Sequence, residues 1–208
     1  MSLYTETVFT WFLDRFLNTE EIGDRRKRLV EGAHGDVLEI GFGTGATLPF
    51  YNREIVSSLA VVEPSTGMNK RAEAIIARLN WPITIDALAG EKLPFENARF
   101  DCVASSLTLC SVSDPQRVLA EVWRVLRPGG TLRFFEHVAS QSPKRRKWQD
   151  RLNPVQRVVA VGCNLNRDTI GLMRAAGFDL GLVPQQIETS FPFAAYLPIV
   201  EGTARKTV

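Results

Sequence analysis

The chain has 208 residues, enough for one domain with a substantial buried core, and 45% of them are apolar, with charges of both signs interspersed, which excludes disorder and fibrous repeats. Its 25 Lys and Arg against 23 Asp and Glu leave a formal charge of +2, too little for a nucleic-acid footprint, so no nucleic-acid partner is expected. The cysteines Cys102, Cys110 and Cys163 form no CxxC pair and have no metal-ligand spacing, and no signal peptide or apolar run near 20 residues is present; a reduced, cytoplasmic protein without a metal is expected.

Residues Tyr4 to Asn18 place Phe9, Phe12, Leu13, Phe16 and Leu17 at helical spacing, which predicts an amphipathic helix, read here as a lid over the ligand site. A polar helix is expected over Glu20 to Glu31. Short apolar runs at Val37 to Ile40, Leu59 to Glu63, Ile83 to Ala87, Phe100 to Ser105 and Thr131 to Glu136 then alternate with helical stretches at Ala46 to Asn52, Thr66 to Leu79 and Pro115 to Leu126. That alternation means βαβ units and a mostly parallel sheet.

After Val138 the pattern changes. Pro143 to Asp150 is basic and polar, Asn153 and Pro154 read as the N-cap and first-turn proline of a helix, and Arg167 to Ala176 reads as another. Runs at Phe178 to Ile187 and Pro198 to Ala204 predict an antiparallel closing pair. The expected organisation is a single domain over 1–208, with N-terminal helices in 1–32, a cofactor core over 36–138, a helical insertion over 139–177 and closing strands over 178–208.

Val37-Leu38-Glu39-Ile40-Gly41-Phe42-Gly43-Thr44-Gly45-Ala46 is a buried strand running into a glycine-rich turn and a helix, the pattern of a nucleotide-cofactor loop. Gly41, Gly43 and Ala46 with Glu63 also satisfy the dinucleotide fingerprint, so the loop alone fits NAD. Two features tilt the choice. The negative charge of Glu39 suits a cationic amino group and would repel a pyrophosphate, and the Gly-x-Gly-x-Gly spacing shapes a loop around an amino-acid moiety.

These residues resemble the class I S-adenosylmethionine-dependent methyltransferases, and the resemblance runs from about Asp36 to Val138. Glu63 stands where that family holds the ribose, Pro64 and Met68 where it packs on adenine, and Ala89-Gly90-Glu91 where it meets the adenine edge; Leu126-Arg127-Pro128-Gly129-Gly130 matches its turn into strand five. The resemblance implies a Rossmann-like α/β fold with a seven-stranded, mostly parallel sheet, an antiparallel final strand and helices on both faces. It also implies S-adenosylmethionine as cofactor, with S-adenosylhomocysteine as product, held by Glu39, Gly41, Gly43, Gly45, Glu63, Pro64, Met68, Ala89, Gly90, Glu91 and Ser106.

Ser106 to Val112, Phe135-Glu136-His137-Val138 and Gly162 to Arg167 are similar to the thiol S-methyltransferase branch, whose animal members carry an N-terminal membrane anchor that residues 1–18 do not match. A small thiol is therefore the expected acceptor. Relatives that methylate quinones or phospholipid head groups share the core, and a cofactor-binding module without turnover is the reading from another class. Methyl transfer from a sulfonium is an in-line displacement that asks mainly for alignment and exclusion of water. An imidazole titrates near pH 6.5, which makes His137 the candidate base, or else a residue that orients the loop. Cys110, Asn164 and Arg167 are candidates for the acceptor pocket, Asn164 and Arg167 reading equally as a cap and an ion-pair partner. Lys144 to Trp148 forms a solvated basic face or a peripheral membrane contact.

Overall fold

The structure, a computed structural model, describes residues 19–182, 186 and 198–207. A central sheet in the order β3-β2-β1-β4-β5-β7-β6 is built from β1 (Gly35–Ile40), β2 (Val56–Val62), β3 (Ile83–Asp86), β4 (Phe100–Ser106), β5 (Leu126–His137), β6 (Phe178–Asp179) and β7 (Ile199–Lys206). Strands β1 to β5 pair in parallel, and β7 runs antiparallel between β5 and β6. The sequence-based expectation of seven strands with an antiparallel final strand agrees with this sheet.

The central strands are near-continuous apolar runs because both faces are covered. Along β1, Leu38 and Ile40 enter one core with Val118, Leu119, Val122 and Val125 of α3 (Pro115–Val125) and Met173 of α5 (Thr169–Ala175). The alternate residue Val37 enters the opposite core with Ile22, Leu29 and Val30 of α1 (Glu20–Glu31) and Ala72 of α2 (Thr66–Leu79). Each such fully buried aliphatic side chain contributes about 1.5–3 kcal/mol relative to exposure.

Three expectations are corrected. Ala46 to Asn52 is not an α-helix; only Leu48–Phe50 makes a 3-10 turn, since Gly45 and Pro49 break the helical register. Asn153 is not an N-cap: α4 (Pro143–Val159) starts after Ser142 with Pro143 in its first turn, Pro154 lies inside it, and Asn153 Oδ1 accepts from Leu165 N–H at 2.8 Å. The run from Phe178 yields a strand of two residues, and residues 183–185 and 187 lie outside the described part, as does the expected lid over Tyr4 to Asn18.

At the amino edge of the sheet, Asp36 pairs with Arg99 at 2.9 Å and Arg127 at 3.0 Å, and Asp101 with Arg127 at 2.5 Å. These pairs pin β1, β4 and the turn into β5. The carboxyl edge, where an open parallel sheet changes direction between β1 and β4, holds the groups described next.

Candidate active site

β1 delivers Gly41, Gly43 and Gly45 beyond its carboxyl end with φ of +63°, +58° and +79°, a conformation that glycine adopts without the penalty a Cβ would bring. Their surroundings differ. A Cβ at Gly41 would run into the Thr108 side chain and one at Gly45 would come within 3.0 Å of Leu48, whereas one at Gly43 meets nothing nearer than Met68 Sδ at 3.8 Å. Two glycines therefore lock the loop against protein, and Gly43 presents bare backbone to open space.

Glu63, buried just past β2, binds that loop. Its Oε2 accepts from Gly43 N–H at 3.2 Å and its Oε1 from Ser65 N–H at 2.9 Å. Ser65 in turn caps α2 by accepting from Met68 N–H, so Glu63, exposed Pro64 and buried Met68 form one wall beside Gly43. Ala89 and Gly90 follow β3, Ala89 exposed. The Glu91 carboxylate accepts from Asp114 N–H at 3.3 Å and ties this turn to α3.

Glu39 sits wholly inside the loop. Thr47 Oγ1 donates to its two oxygens at 2.6 and 2.8 Å and Tyr51 Oη donates at 3.0 Å. Burial pushes its carboxyl up to about 7, against the hydrogen bonds that favour the charge. These two donors tie the Glu39 carboxyl to the scaffold of the loop.

The β4–β5 edge is organised by Glu136. Past half-buried Ser106, the chain turns through Leu107 at φ +53°, a left-handed conformation rare for a leucine. That turn aims the N–H groups of Thr108, Leu109 and Cys110 at the Glu136 carboxylate, at 3.0, 3.0 and 3.2 Å, and Ser105 Oγ adds a fourth donor at 2.7 Å. Complete burial raises its carboxyl despite these bonds. In the sequence Glu136 stands out only as part of the Phe135-Glu136-His137-Val138 motif. A carboxylate between Phe135 and His137 on a strand covered on both faces must be supplied with donors, and that was the available signal.

Asn164 and Arg167 brace the same turn. Asn164 Nδ2 donates to Cys110 O at 3.2 Å and Gly162 O at 2.7 Å, and Arg167 Nη1 to Leu109 O at 2.6 Å and Val112 O at 2.9 Å. Neither the cap nor the ion pair expected as the alternative role is what these bonds show: both side chains position the turn through backbone carbonyls. Cys110 is buried behind this turn.

His137 ends β5 and is buried, with Nδ1 3.6 Å from Cys163 Sγ, and its Nε2 has no hydrogen-bond partner among the described residues. Cys163 Sγ also lies 3.8 Å from Cys110 Sγ, and the three donor atoms fall within 4.8 Å of one another. The expectation of no metal-ligand pattern held for linear spacing only: Cys110 and Cys163 are 53 positions apart and meet because Asn164 N–H bonds to Cys110 O.

The comparisons with known proteins fit this geometry. A methyltransferase domain family matches residues 38–134. The thiol S-methyltransferase TMT1A of Homo sapiens is 32% identical over 95% of this chain and 86% of its own length. A phosphatidylethanolamine N-methyltransferase of Cereibacter sphaeroides is 30% identical over 53% of this chain and 54% of its own. Among solved structures, a geranyl diphosphate C-methyltransferase of Streptomyces coelicolor A3(2) with S-adenosylhomocysteine bound shares the fold at a TM-score of 0.70 and 14% identity, over 99% of this chain and 85% of that one. The chain belongs to the class I S-adenosylmethionine-dependent methyltransferases, and S-adenosylmethionine is its cofactor.

Proposed function

We propose that the protein methylates a small thiol, with His137 as the base that receives the thiol proton. The observation that carries this reading is the buried Nε2 of His137, unpartnered among the described residues, at the carboxyl end of β5 beside the turn after β4. The thiol S-methyltransferase relative matching 95% of the chain supports the choice of acceptor.

The residues present fit the cofactor. Open backbone at Gly43 accommodates the amino-acid moiety's close approach, Glu63 beside it can accept from ribose hydroxyls, Pro64 and Met68 offer apolar surface to the adenine, and Ala89 and Gly90 leave room at its edge. When bound, the cofactor supplies a methyl group on a sulfonium, ready for in-line displacement. The chain contributes alignment and one proton transfer. In the tautomer that carries its proton on Nδ1, 3.6 Å from Cys163 Sγ, the Nε2 lone pair of His137 is free to accept the proton of an acceptor thiol. The thiolate so formed is the nucleophile for the methyl group that the bound cofactor would supply, and His137 keeps the proton until the product leaves. Glu136 holds the backbone of Thr108 to Cys110 in place.

A membrane-borne acceptor is the second reading. Trp148, Leu152, Val155 and Val159 make an exposed stripe along α4 at spacings of 4, 3 and 4 residues, beside exposed Lys144, Lys147 and Arg151. Such a face suits an anionic lipid surface. One experiment decides: release of S-adenosylhomocysteine is measured with aliphatic and aromatic thiols, a quinol, an amine, and phosphatidylethanolamine in anionic vesicles. Thiol turnover above all others supports the proposal. Turnover with quinol or vesicles alone gives the second reading, and cofactor binding without turnover on any acceptor makes the protein a binding module.

A further inference from the structure

The β4–β5 edge brings together two thiols and an imidazole that the methyl-transfer scheme does not need as a group. Cys110 follows the Leu107 turn, His137 ends β5, and Cys163 comes from the turn after α4. Their backbones are held independently. Cys110 N–H is bonded to Glu136, next to His137 in the chain, and Cys110 O accepts both donors of Asn164, next to Cys163. Three segments thus fix three soft donors at one point before any ligand is considered.

Two of the three donor spacings are those of a tetrahedral cation's edges, and the third lies within 4.8 Å. Zinc binds thiolate sulfur at about 2.3 Å and imidazole nitrogen at about 2.0–2.1 Å. At the tetrahedral angle these lengths put two sulfurs about 3.8 Å apart and a sulfur about 3.6 Å from a nitrogen. The Cys163–Cys110 sulfur distance is 3.8 Å, Cys163 Sγ to His137 Nδ1 is 3.6 Å, and no pair in the cluster exceeds 4.8 Å.

We propose that Cys110, His137 and Cys163 bind a single thiophilic divalent cation of the Zn2+ class. The donor set, two cysteines and one histidine, is that of open zinc sites, which keep the fourth position for water or a substrate atom. Cys163 is half-buried while the other two are buried, so it lies on the side of entry. Binding balances as one cation in and two thiol protons out, leaving a neutral dithiolate complex.

Occupancy has a consequence that rests on the reading of His137 as base. A cation on Nδ1 leaves the proton on Nε2, so the loaded protein has no lone pair for the acceptor. The site then acts as a brake on methyl transfer.

The test uses the full chain stripped by a chelator. Zn2+ is titrated against a chromophoric chelator, and Co2+ is titrated separately and followed by thiolate-to-metal absorption in the near ultraviolet. One equivalent per chain at submicromolar affinity is expected, weakened at least tenfold in Cys163→Ser and in His137→Gln and unchanged in Cys102→Ser, whose thiol is buried in the opposite core. Stoichiometric Zn2+ should also slow alkylation of Cys163 in the unmodified chain, a readout that stands if a variant fails to fold. No saturable binding, binding indifferent to Cys163→Ser, or a peroxide-formed Cys110–Cys163 disulfide in a chain that takes up no Zn2+ overturns the site. Thiol turnover is measured on the stripped chain in parallel. Binding without turnover rejects the thiol reading and leaves the site; turnover without binding does the reverse.

Discussion

The backbone N–H of Gly43 donates to Oε2 of Glu63 across 3.2 Å, which ties the glycine loop after β1 to the acid just past β2. Replacing Glu63 with Ala removes both this tie and the acceptors offered to the ribose. The affinity for S-adenosylhomocysteine should fall by about 1.5–3 kcal/mol, roughly tenfold to 150-fold. Calorimetry checks it, and the same titrations should show no binding of NAD to either form. An unchanged affinity in Glu63→Ala would place the ribose elsewhere.

Glu39 makes stability depend on pH. Burial raises its carboxyl from 4.5 to about 7, so the folded chain holds this proton more tightly than the unfolded one. Between those two values the folded state binds more protons, and stability therefore falls as pH rises through the window and levels off above it. The full contribution is on the order of 3 kcal/mol. Glu39→Gln keeps an acceptor oxygen for Thr47 and Tyr51 and has nothing to titrate. Thermal melts from pH 4.5 to 8 should show the unmodified chain losing stability relative to the variant as pH rises, with the variant the more stable at pH 8. Parallel curves would mean that Glu39 does not ionise in this range.

The sheet was legible because its signals are local. Val37 to Ile40 and Phe100 to Ser105 are apolar runs of strand length, and three glycines at alternate positions mark a turn whose φ values are all positive. At the start of α4 two local signals compete. Asn153 before Pro154 and Ser142 before Pro143 both look like helix starts; the helix begins at the second pair with Pro154 inside it, and the Asn153 side chain is taken by a tertiary partner, Leu165. Thr131 was read as the start of β5, which begins at Leu126 because the pairing jumps from Phe100–Leu126 to Cys102–Thr131 around the proline-glycine turn. The acceptor side was hardest to read. The bonds from Arg167 to Leu109 and Val112 span more than 50 positions and depend on the finished fold, so no spacing along the chain announces that Arg167 braces a turn.

Gly41 and Gly43 separate folding from cofactor binding. Both have left-handed φ, so an alanine at either costs about 1–2 kcal/mol in backbone strain. At Gly41 the added methyl also runs into Thr108, whose Oγ1 donates to Ile40 O and Gly41 O, and the strained turn after β4 must shift to admit it. At Gly43 the methyl enters open space beside Met68, the face assigned to the cofactor. Gly43→Ala should therefore lower the melting temperature by only about 2–8 °C, as strain alone predicts for a chain of this size. Its affinity for S-adenosylhomocysteine should nevertheless fall more than tenfold, because the methyl occupies the approach. Gly41→Ala should melt well below Gly43→Ala. Melting curves with and without ligand, together with calorimetry, give both quantities from the same preparations. A Gly43→Ala chain that binds the ligand as tightly as the unmodified one would mean that the cofactor does not pass over this backbone, and the loop's role would then be confined to the fold.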